Sequence, residues 1–480
     1  MLNLEVLKHK KYHKIYVALS GGIDSCVLLH QLIQCKKSLK LLSEIPALNH
    51  LEAIYIDHQL SDNSKQWGEF CHKLCQSYQI PCHISIVNAI AATRQSTEAV
   101  AREARYEAFR KIVGPRDVLL TAHHQNDQAE TLLLRMCRGA GVKGLSAMKE
   151  EVHYQGISIV RPMLSVSKKQ IIDYAQEHQL TWINDESNEE TSYRRNFLRH
   201  HILPVFEQSW PAIIQILSRV AEQQAEASVL LTEIGDQDLE NCLYENIQIP
   251  LVKNQVISAR KLLVLSDIRI KNLIQCWLSN NHYPLLSAKL YQELLIKLKS
   301  HQNNNIEILT WLGPKGKRNN DCRYTIYLYR DALFCYHYNQ SPQHLKALTK
   351  SYCFDSNHDC SLQLPNGSLK VLSYFELKEK YERNKLLCMP TLSSISDLDS
   401  VKIYYQSAIN QLTILNKKQK TKLKKFFQEK GIPVPIRAGL PFIFSDEKLI
   451  QIGNIGFNKE DKFLKEDEKY LFFESSLEHK

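Results

Sequence analysis

The sequence lacks the features of a membrane or secreted protein. None of its 480 residues lies in an apolar run approaching the roughly 18 residues of a membrane span. The opening stretch, MLNLEVLKHKKYHK, has no apolar signal core before a small-residue cleavage site. The 13 cysteines are scattered and odd in number, which is typical of reduced thiols rather than of a disulfide framework. We therefore expect a cytoplasmic protein that does not associate with membranes.

Paired cysteines, internal repeats and low-complexity tracts are also absent. No CxxC pair occurs anywhere in the chain, so the usual ligand spacing of zinc and iron–sulfur sites is missing. Cys71 and Cys75 lie four residues apart on a predicted helix, and buried thiols explain them better than a metal site does. Cys137, between Met136 and Arg138, is likewise predicted to be a core residue.

The composition is that of a soluble globular protein of more than one domain. Hydrophobic residues make up 44% and charged residues 23%, and 480 residues exceed one ordinary core. The formal charge of +10 is a mild indication of a polyanionic partner. The sequence gives no evidence of an obligate protein partner.

A glycine-containing turn joins the first predicted strand to a helix. Ile15–Leu19 has a strand pattern, and the apolar residues after Cys26 recur at helical spacing. The turn between them, which we call the Ser20–Ser25 turn, consists of Ser20, Gly21, Gly22, Ile23, Asp24 and Ser25. Backbone N–H groups at a helix N-terminus bind anions, and a carboxylate beside a phosphate is explained by a bridging Mg²⁺. A simple tight turn with a capping serine is the alternative.

Two further strands end in polar residues. Ile54–His58 and Val118–Ala122 are predicted strands, and helical stretches alternate with them, so we expect a parallel α/β sheet. The polar residues would then gather at the carboxyl edge, where open sheets bind ligands. After His123-His124, a helix would place Asp127 and Glu130 on one face and turn the following Leu132, Leu133 and Met136 to the core. Acidic residues that complement the helix dipole are the alternative reading.

These segments resemble the tRNA(Ile)-lysidine synthases, a family of PP-loop ATP pyrophosphatases. The turn matches SGGxDS, the loop that in this superfamily holds ATP for cleavage between its α and β phosphates. The other matching segments are DHQLS from Asp57, Glu98 with Arg102 and Arg105-Tyr106, HHQNDQAET from His123, RGAGVKGL from Arg138, IVRPML from Ile159, DESN from Asp185, YRRNFLR from Tyr193, and, more loosely, the helix around Arg269–Leu278 and the stretch from Lys417 to Pro441.

Two positions depart from the family pattern. Asn126 stands where the family often has an aspartate, and Ser61 replaces an arginine. A metal role therefore rests on Asp24, with Asp127 as a second candidate ligand.

The resemblance implies an activity and a fold. The fold would be an N-terminal parallel-sheet PP-loop domain (1–211), a linker helix (212–234), a mainly helical substrate-binding domain (235–340) and a small α+β tRNA-binding domain (350–475). The enzyme would use ATP and Mg²⁺ to adenylate the C2 oxygen of the wobble cytidine in tRNA(Ile) with a CAU anticodon. Free L-lysine would then displace AMP to form lysidine, which changes the codon and amino acid specificity from methionine to isoleucine.

The resemblance also implies roles for individual residues. Asp127 would hold the lysine amine, Glu130 would lie near the reacting base, and Arg195 would meet the α-phosphate or the cytidine. Further candidate contacts to the nucleotide or to tRNA are Asp57, His58, Arg105 and His124.

A lysine-rich stretch near the C-terminus is the candidate for tRNA phosphates. Six lysines fall within Lys417–Lys425, and Arg437 follows. The tRNA contacts are predicted to be Lys417, Lys418, Lys424, Lys425 and Arg437. A solvated helix face is the alternative.

Three other functions stay open at this stage. A tRNA thiolation enzyme would need reactive or paired cysteines. A small-molecule amide ligase on the same loop would seldom need a lysine-rich third domain. A non-catalytic tRNA-binding protein would not need an intact Ser20–Ser25 turn.

Overall fold

A computed structural model shows the fold of the chain. The chain divides into two compact units, 1–230 and 231–480. The structure describes residues 2–57, 59, 63–87, 97–184, 186, 190–191, 193–244, 255–300, 306–313, 323–338, 352–355, 361–364, 367–373, 375–377, 400–405, 413–416, 419–429, 432–437, 439–445, 448–453, 455–456 and 469–475. In this part of the chain, no helix is long and apolar enough to cross a membrane.

The first unit is built on a six-stranded sheet in the order β3-β2-β1-β4-β6-β5. Five of the strands are parallel, and β5 pairs antiparallel with β6 at the edge. The strands are β1 Ile15–Ala18, β2 Leu51–Asp57, β3 Cys82–Ile86, β4 Val118–Leu120, β5 Glu151–Tyr154 and β6 Ile157–Val160. The three predicted strands correspond to β1, β2 and β4, which confirms the predicted parallel sheet.

Helices lie before, between and after these strands in the chain. They are α1 Glu5–His9, α2 Ile23–Lys36, α3 Leu39–Glu44, α4 Ser64–Ser77, α5 Thr97–Ile112, α6 Gln125–Met136, α7 Val142–Leu145, α8 Lys168–Glu177, α9 Arg194–Phe197, α10 Leu203–Ser209 and α11 Ile213–Asn241. A 3₁₀ turn covers Pro46–His50, and a π-helical turn, Leu198–Ile202, joins α9 to α10.

The sheet is covered on both faces. Val27 and Leu28 of α2 pack with Ile171 of α8 in one apolar cluster, while Tyr106 and Phe109 of α5 belong to a second cluster. Parallel strands need cover on both faces because their side chains are apolar on both sides. The chain adds β2 and β3 on one side of β1 and β4 on the other, so the strand order reverses between β1 and β4. Open α/β sheets bind ligands at such a reversal.

Two expectations about the end of α6 are wrong. Leu132 and Leu133 are buried as predicted, but Met136 is 55% exposed and Cys137 is exposed. Both belong to the last turn, where the helix ends and no longer faces the core.

The second unit begins with a helical region around the fully buried Trp277. Its helices are α12 Ala259–Leu263, α13 Asp267–Asn280 and α14 Ala288–Ser300. They pack on an antiparallel sheet in the order β7-β10-β9-β8, formed by Ile257–Ser258, Ala332–Tyr338, Arg323–Tyr329 and Ile306–Leu312.

The C-terminal region combines short helices with antiparallel sheets. One sheet has the order β11-β14-β17-β18-β19, a second β12-β13-β20, and β15 pairs with β16. The strands are β11 Tyr352–Asp355, β12 Ser361–Leu364, β13 Gly367–Ser373, β14 Ser400–Tyr404, β15 Thr413–Asn416, β16 Gln419–Lys422, β17 Phe442–Ser445, β18 Lys448–Ile452, β19 Ile455–Gly456 and β20 Lys469–Ser475. The helices are α15 Leu423–Glu429 and α16 Val434–Arg437. The three-part fold class predicted from the sequence is confirmed.

Candidate active site

The Ser20–Ser25 turn follows β1 where the strand order reverses, and its last three residues form the first turn of α2. The hydroxyls of Ser20 and Ser25 are 3.2 Å apart, and the Ser25 hydroxyl also donates to the Gly22 carbonyl at 2.9 Å. The Ser20 N–H donates to the Ser25 Oγ at 3.2 Å. These bonds hold the turn against the first turn of α2, where backbone N–H groups without helical partners are the kind of donors that bind anions.

Gly21 is required by its backbone and by its neighbours. Its φ is +84°, in the left-handed region that favours glycine. A Cβ atom there would lie 2.8 Å from Ile183 Cδ1 and 3.3 Å from Cys71 Sγ. The Gly21 carbonyl also accepts a hydrogen bond from the Ile183 N–H at 2.9 Å. The glycine therefore fixes the turn against the core beneath it.

Asp24 forms an ion pair that the sequence did not predict. Lys168 Nζ lies 2.6 Å from Asp24 Oδ1, and His124 Nε2 lies 3.5 Å from the same oxygen. Lys168 is the first residue of α8, and its backbone N–H donates to Asn126 Oδ1 at 3.3 Å. Asn126, which departs from the family pattern, thus ties the start of α8 to the start of α6.

His124 and Asp127 cap the start of α6. The Asn126 N–H donates to His124 Nδ1 at 3.3 Å, and the His124 N–H donates to Asp127 Oδ2 at 2.9 Å. His124 Nε2 lies 3.6 Å from Asp127 Oδ2, so the imidazole is between the carboxylates of Asp24 and Asp127. The side chain of Asp127 caps the helix, so the alternative interpretation, an acidic residue that complements the helix dipole, describes part of its role.

Asp127 and Glu130 also belong to a carboxylate–arginine cluster with Arg195 and Arg199. Arg195 Nη2 donates to Asp127 Oδ1 at 2.7 Å and Arg195 Nε donates to Glu130 Oε2 at 2.6 Å. Arg199 Nε donates to Glu130 Oε1 at 2.7 Å and its Nη2 to Oε2 at 3.1 Å. The Glu130 side chain is only 1% exposed, whereas both guanidiniums keep part of their surface in solvent. Two negative and two positive charges therefore balance in the cluster.

The charges around Asp127 and His123 fix their protonation states. Burial raises the pKa of the Asp127 carboxyl, but His124 and Arg195 outweigh burial and lower that pKa to about 2. Burial lowers the pKa of His123 to about 3, and nearby arginines, including Arg105, act in the same direction. At neutral pH the Asp127 carboxylate is ionised and the His123 imidazole is uncharged.

The remaining candidates, Asp57, His58 and Arg105, do not share one environment. Asp57 is buried, and its Oδ1 accepts from the Gln59 N–H at 2.8 Å, so this side chain shapes the turn after β2. Arg105 is half-buried and close enough to His123 to lower the pKa of the imidazole. His58 lies outside the described residues.

The C-terminal candidates do not form one lysine-bearing helix. Lys417 and Lys418 lie outside the described residues, the next lysines belong to strand β16, and Lys424 and Lys425 are exposed at the start of α15. The helix is held by its other face, because Phe426 and Phe427 are buried.

The prediction for Arg437 needs correction. This side chain is 9% exposed, and its Nε and Nη2 donate to the Ile432 carbonyl at 3.0 and 2.9 Å. The guanidinium also lies 5.2 Å from the Phe427 ring centroid. Arg437 thus ties the end of α16 to Ile432 and to the Phe427 ring, which leaves little of its guanidinium exposed for a phosphate.

Lys168 and Arg199 are the site residues that the sequence reasoning missed. Arg199 lies four residues after Arg195, the spacing that places two helical side chains together. Lys168 is the first residue of a helix, where the helix dipole disfavours a cation. This unfavourable position is the feature that could have indicated a functional role for Lys168.

Comparisons with known proteins identify the family of the chain. A family model described as the PP-loop domain matches residues 2–206, and one described as the TilS substrate C-terminal domain matches residues 401–471. The tRNA(Ile)-lysidine synthase of Haemophilus ducreyi is 32% identical over 91% of this chain and 93% of its own length. That of Coxiella burnetii is 31% identical over 91% and 87%.

Among solved structures, a U34-tRNA thiolase from Methanococcus maripaludis covers 47% of this chain and 76% of its own, with 19% identity and a TM-score of 0.37. A similarity this low does not indicate the function of the chain. The full-length relatives share both the domain that bears the Ser20–Ser25 turn and the C-terminal domain, and the chain therefore belongs to the tRNA(Ile)-lysidine synthase family.

Proposed function

We propose that the protein joins free L-lysine to C2 of the wobble cytidine of tRNA(Ile) with a CAU anticodon, in the cytoplasm. The observation that carries the proposal is the position of the Ser20–Ser25 turn beside the carboxylate–arginine cluster. His124 lies between Asp24 of the turn and Asp127 of the cluster, 3.5 Å from one carboxylate and 3.6 Å from the other. A nucleotide and an amine substrate can therefore meet at one edge of the sheet.

The first step activates the cytidine. Its C2 oxygen attacks the α-phosphorus of ATP, the bond to the β-phosphate oxygen breaks, and pyrophosphate leaves with that electron pair. The free N–H groups at the start of α2 and the hydroxyls of Ser20 and Ser25 would bind the departing phosphates. Charge develops on pyrophosphate as it leaves, so preorganised donors lower the barrier.

Asp24 fits a magnesium ion better than Asp127 does. Mg²⁺ is usually held by one or two carboxylates together with phosphate oxygens. Asp24 is half-exposed at the turn, whereas both oxygens of Asp127 already accept hydrogen bonds from Arg195 and His124. In the described part of the chain, no three His, Cys, Asp or Glu side chains form a metal site, so phosphate oxygens would complete the coordination. The ion would supply positive charge beside the phosphates.

Lys168 would change partners when the phosphates bind. Lys168 pairs with Asp24, and its ammonium would turn toward the phosphate oxygens if Asp24 held a cation. We expect Lys168→Met to weaken binding of inorganic pyrophosphate and to raise the KM for ATP about 10- to 100-fold, the effect of a lost charge-assisted bond. The KM for lysine should stay unchanged. Lys169→Met, at the exposed next position, is the matched control, and equal losses in both variants would contradict this role.

The second step needs a negative site for the lysine ammonium. Because Arg195 and Arg199 balance the charges of Asp127 and Glu130, a third cation gains little while both arginines keep these partners. Arg195, which is partly exposed, would move toward the α-phosphate or the cytidine and leave Asp127 Oδ1 to the amine. With its pKa near 2, Asp127 suits binding an ammonium and not accepting a proton. The ammonium gives one proton to solvent water, and the uncharged amine attacks C2. The C2–O bond breaks, AMP leaves with that electron pair, and a second proton of the attacking nitrogen passes to water.

Asp127→Asn should therefore impair the use of lysine more than the use of ATP. A carboxylate–ammonium contact contributes about 1.5–3 kcal/mol, more than a neutral contact does. We expect the KM for lysine to rise at least about tenfold while the KM for ATP changes little. Steady-state kinetics with each substrate varied in turn measures both values. An equal rise in the two would defeat this role of Asp127.

The C-terminal lysines are proposed to contact tRNA phosphates. Lys424 and Lys425 are exposed and anchored by the buried Phe426 and Phe427 of the same helix. Such contacts position RNA without reading its sequence.

The proposal as a whole is tested by supplying labelled lysine, ATP and bulk tRNA. Label should enter tRNA only when ATP is present, and a transcript with a CAU anticodon should be a better acceptor than one with another anticodon. A tRNA thiolase would incorporate sulfur and no lysine, and the absence of any CxxC pair speaks against it.

A further inference from the structure

The helical segment 194–202 has an inner face that builds the site. Arg195 and Arg199 hold Glu130, and Leu198 packs against Ala129 and Leu133 of α6. The π-helical turn Leu198–Ile202 follows directly, and such turns often occur at functional sites. The segment is thus fixed on α6 by both charge and apolar contact.

The outer face of the same segment carries an exposed aromatic ring. Phe197 is 47% exposed, although its neighbour Leu198 is drawn into the core cluster. The Phe197 ring centroid lies 5.2 Å from that of His201, and Arg194, three residues earlier, is exposed. An exposed apolar side chain is ordinary by itself. Here it lies three residues from the exposed Arg194 and two residues from each arginine of the carboxylate–arginine cluster.

We propose that the Phe197 ring stacks on an unpaired RNA base that neighbours the base held at the carboxylate–arginine cluster. This inference rests on the proposed function, because it needs single-stranded RNA at the site. A helix with its side chains is about 10–12 Å across, so an outer ring is within reach of the nucleotides next to the reacting one. Bases presented on single strands are bound by stacking on aromatic side chains.

The charges around Phe197 favour RNA over a protein partner. The core of a protein–protein interface is depleted of charged residues, whereas single-stranded RNA sites combine aromatic rings with cations along the backbone. Arg194 and His201 flank the ring on its own face, and this is the combination that binds a base together with its phosphates.

The test compares variants that separate stacking from apolar contact. Binding of an anticodon stem–loop RNA with a CAU anticodon is measured for the wild type, Phe197→Leu, Phe197→Ala and Phe197→Trp. We expect Phe197→Leu and Phe197→Ala to lose about 5- to 100-fold in affinity and Phe197→Trp to keep it. With 2-aminopurine replacing the anticodon adenosine, the quenching seen with wild type and Phe197→Trp should decrease in Phe197→Leu. Binding of ATP should be equal in all four proteins.

Trp210→Ala is the matched control. Trp210 is an exposed aromatic residue (58%) directly after α10, and it lies outside the segment that carries the arginines. Wild-type affinity in Phe197→Leu, or an equal loss in Trp210→Ala, would overturn the proposal. Lysine incorporation by the wild type is measured in parallel. Phe197-dependent binding without incorporation would refute the proposed function alone, whereas incorporation with a fully active Phe197→Leu would refute the stacking alone.

Discussion

Asp24→Ala is expected to reduce pyrophosphate release from ATP by a factor of about 10²–10³, the size of effect seen when one preorganised electrostatic group is lost from an active site. The Asp24 carboxylate lies at the start of α2, and Lys168 and His124 surround it. Its removal takes away the oxygen that would hold a cation against the phosphates. Release of pyrophosphate is followed in the presence of tRNA, lysine and Mg²⁺.

The same variant should bind tRNA nearly as well as the wild type. Asp24 belongs to the first unit, whereas the exposed Lys424 and Lys425 belong to the second. Asp173→Ala, which removes an exposed carboxylate from α8, is the matched control and should keep full turnover. Wild-type pyrophosphate release by Asp24→Ala would show that this carboxylate has no part in the chemistry.

Glu130→Gln is expected to damage both stability and activity. Glu130 accepts three hydrogen bonds from two guanidiniums, and its side chain is almost fully buried. Breaking a fully buried ion pair costs about 3–5 kcal/mol, and we expect roughly 2–3 kcal/mol here because Arg195 and Arg199 remain partly hydrated. Without Glu130, Arg195 loses the contact that orients it, so lysine incorporation should decrease as well.

Thermal unfolding of the full chain measures the first effect, and labelled-lysine transfer measures the second. Glu5→Gln is the control, because Glu5 pairs with Lys8 at the surface and its loss should leave the unfolding midpoint unchanged. A Glu130→Gln variant with the wild-type unfolding midpoint and the wild-type activity would show that the cluster contributes neither to stability nor to activity.

The local features of the site could be predicted from the sequence. The Ser20–Ser25 turn lies between a strand and a helix because apolar alternation before it and helical spacing after it are properties of neighbouring residues. Asp127 and Glu130 share a helix face for the same reason. Their convergence at the sheet edge follows from the rule that ligands bind where the strand order reverses.

Contacts between distant segments could not be predicted in this way. Lys168 meets Asp24 across 144 positions of sequence, and Arg199 meets Glu130 across 69, and the local position of either cation does not predict which carboxylate it contacts. The charge of Arg437 predicts an RNA contact, but in the folded chain its guanidinium contacts the Ile432 carbonyl and the Phe427 ring. Hydrogen bonds made after folding therefore decided its role.

The most direct measurement is to incubate the protein with tRNA(Ile) carrying a CAU anticodon and ATP labelled at the α-phosphate, without lysine. Label should become covalently attached to the tRNA, and pyrophosphate should appear in equal amount. Adding lysine should then release the label as AMP and leave lysine on the wobble cytidine. Label that never enters the RNA, or that becomes attached to lysine before transfer, would contradict activation of the cytidine at the Ser20–Ser25 turn.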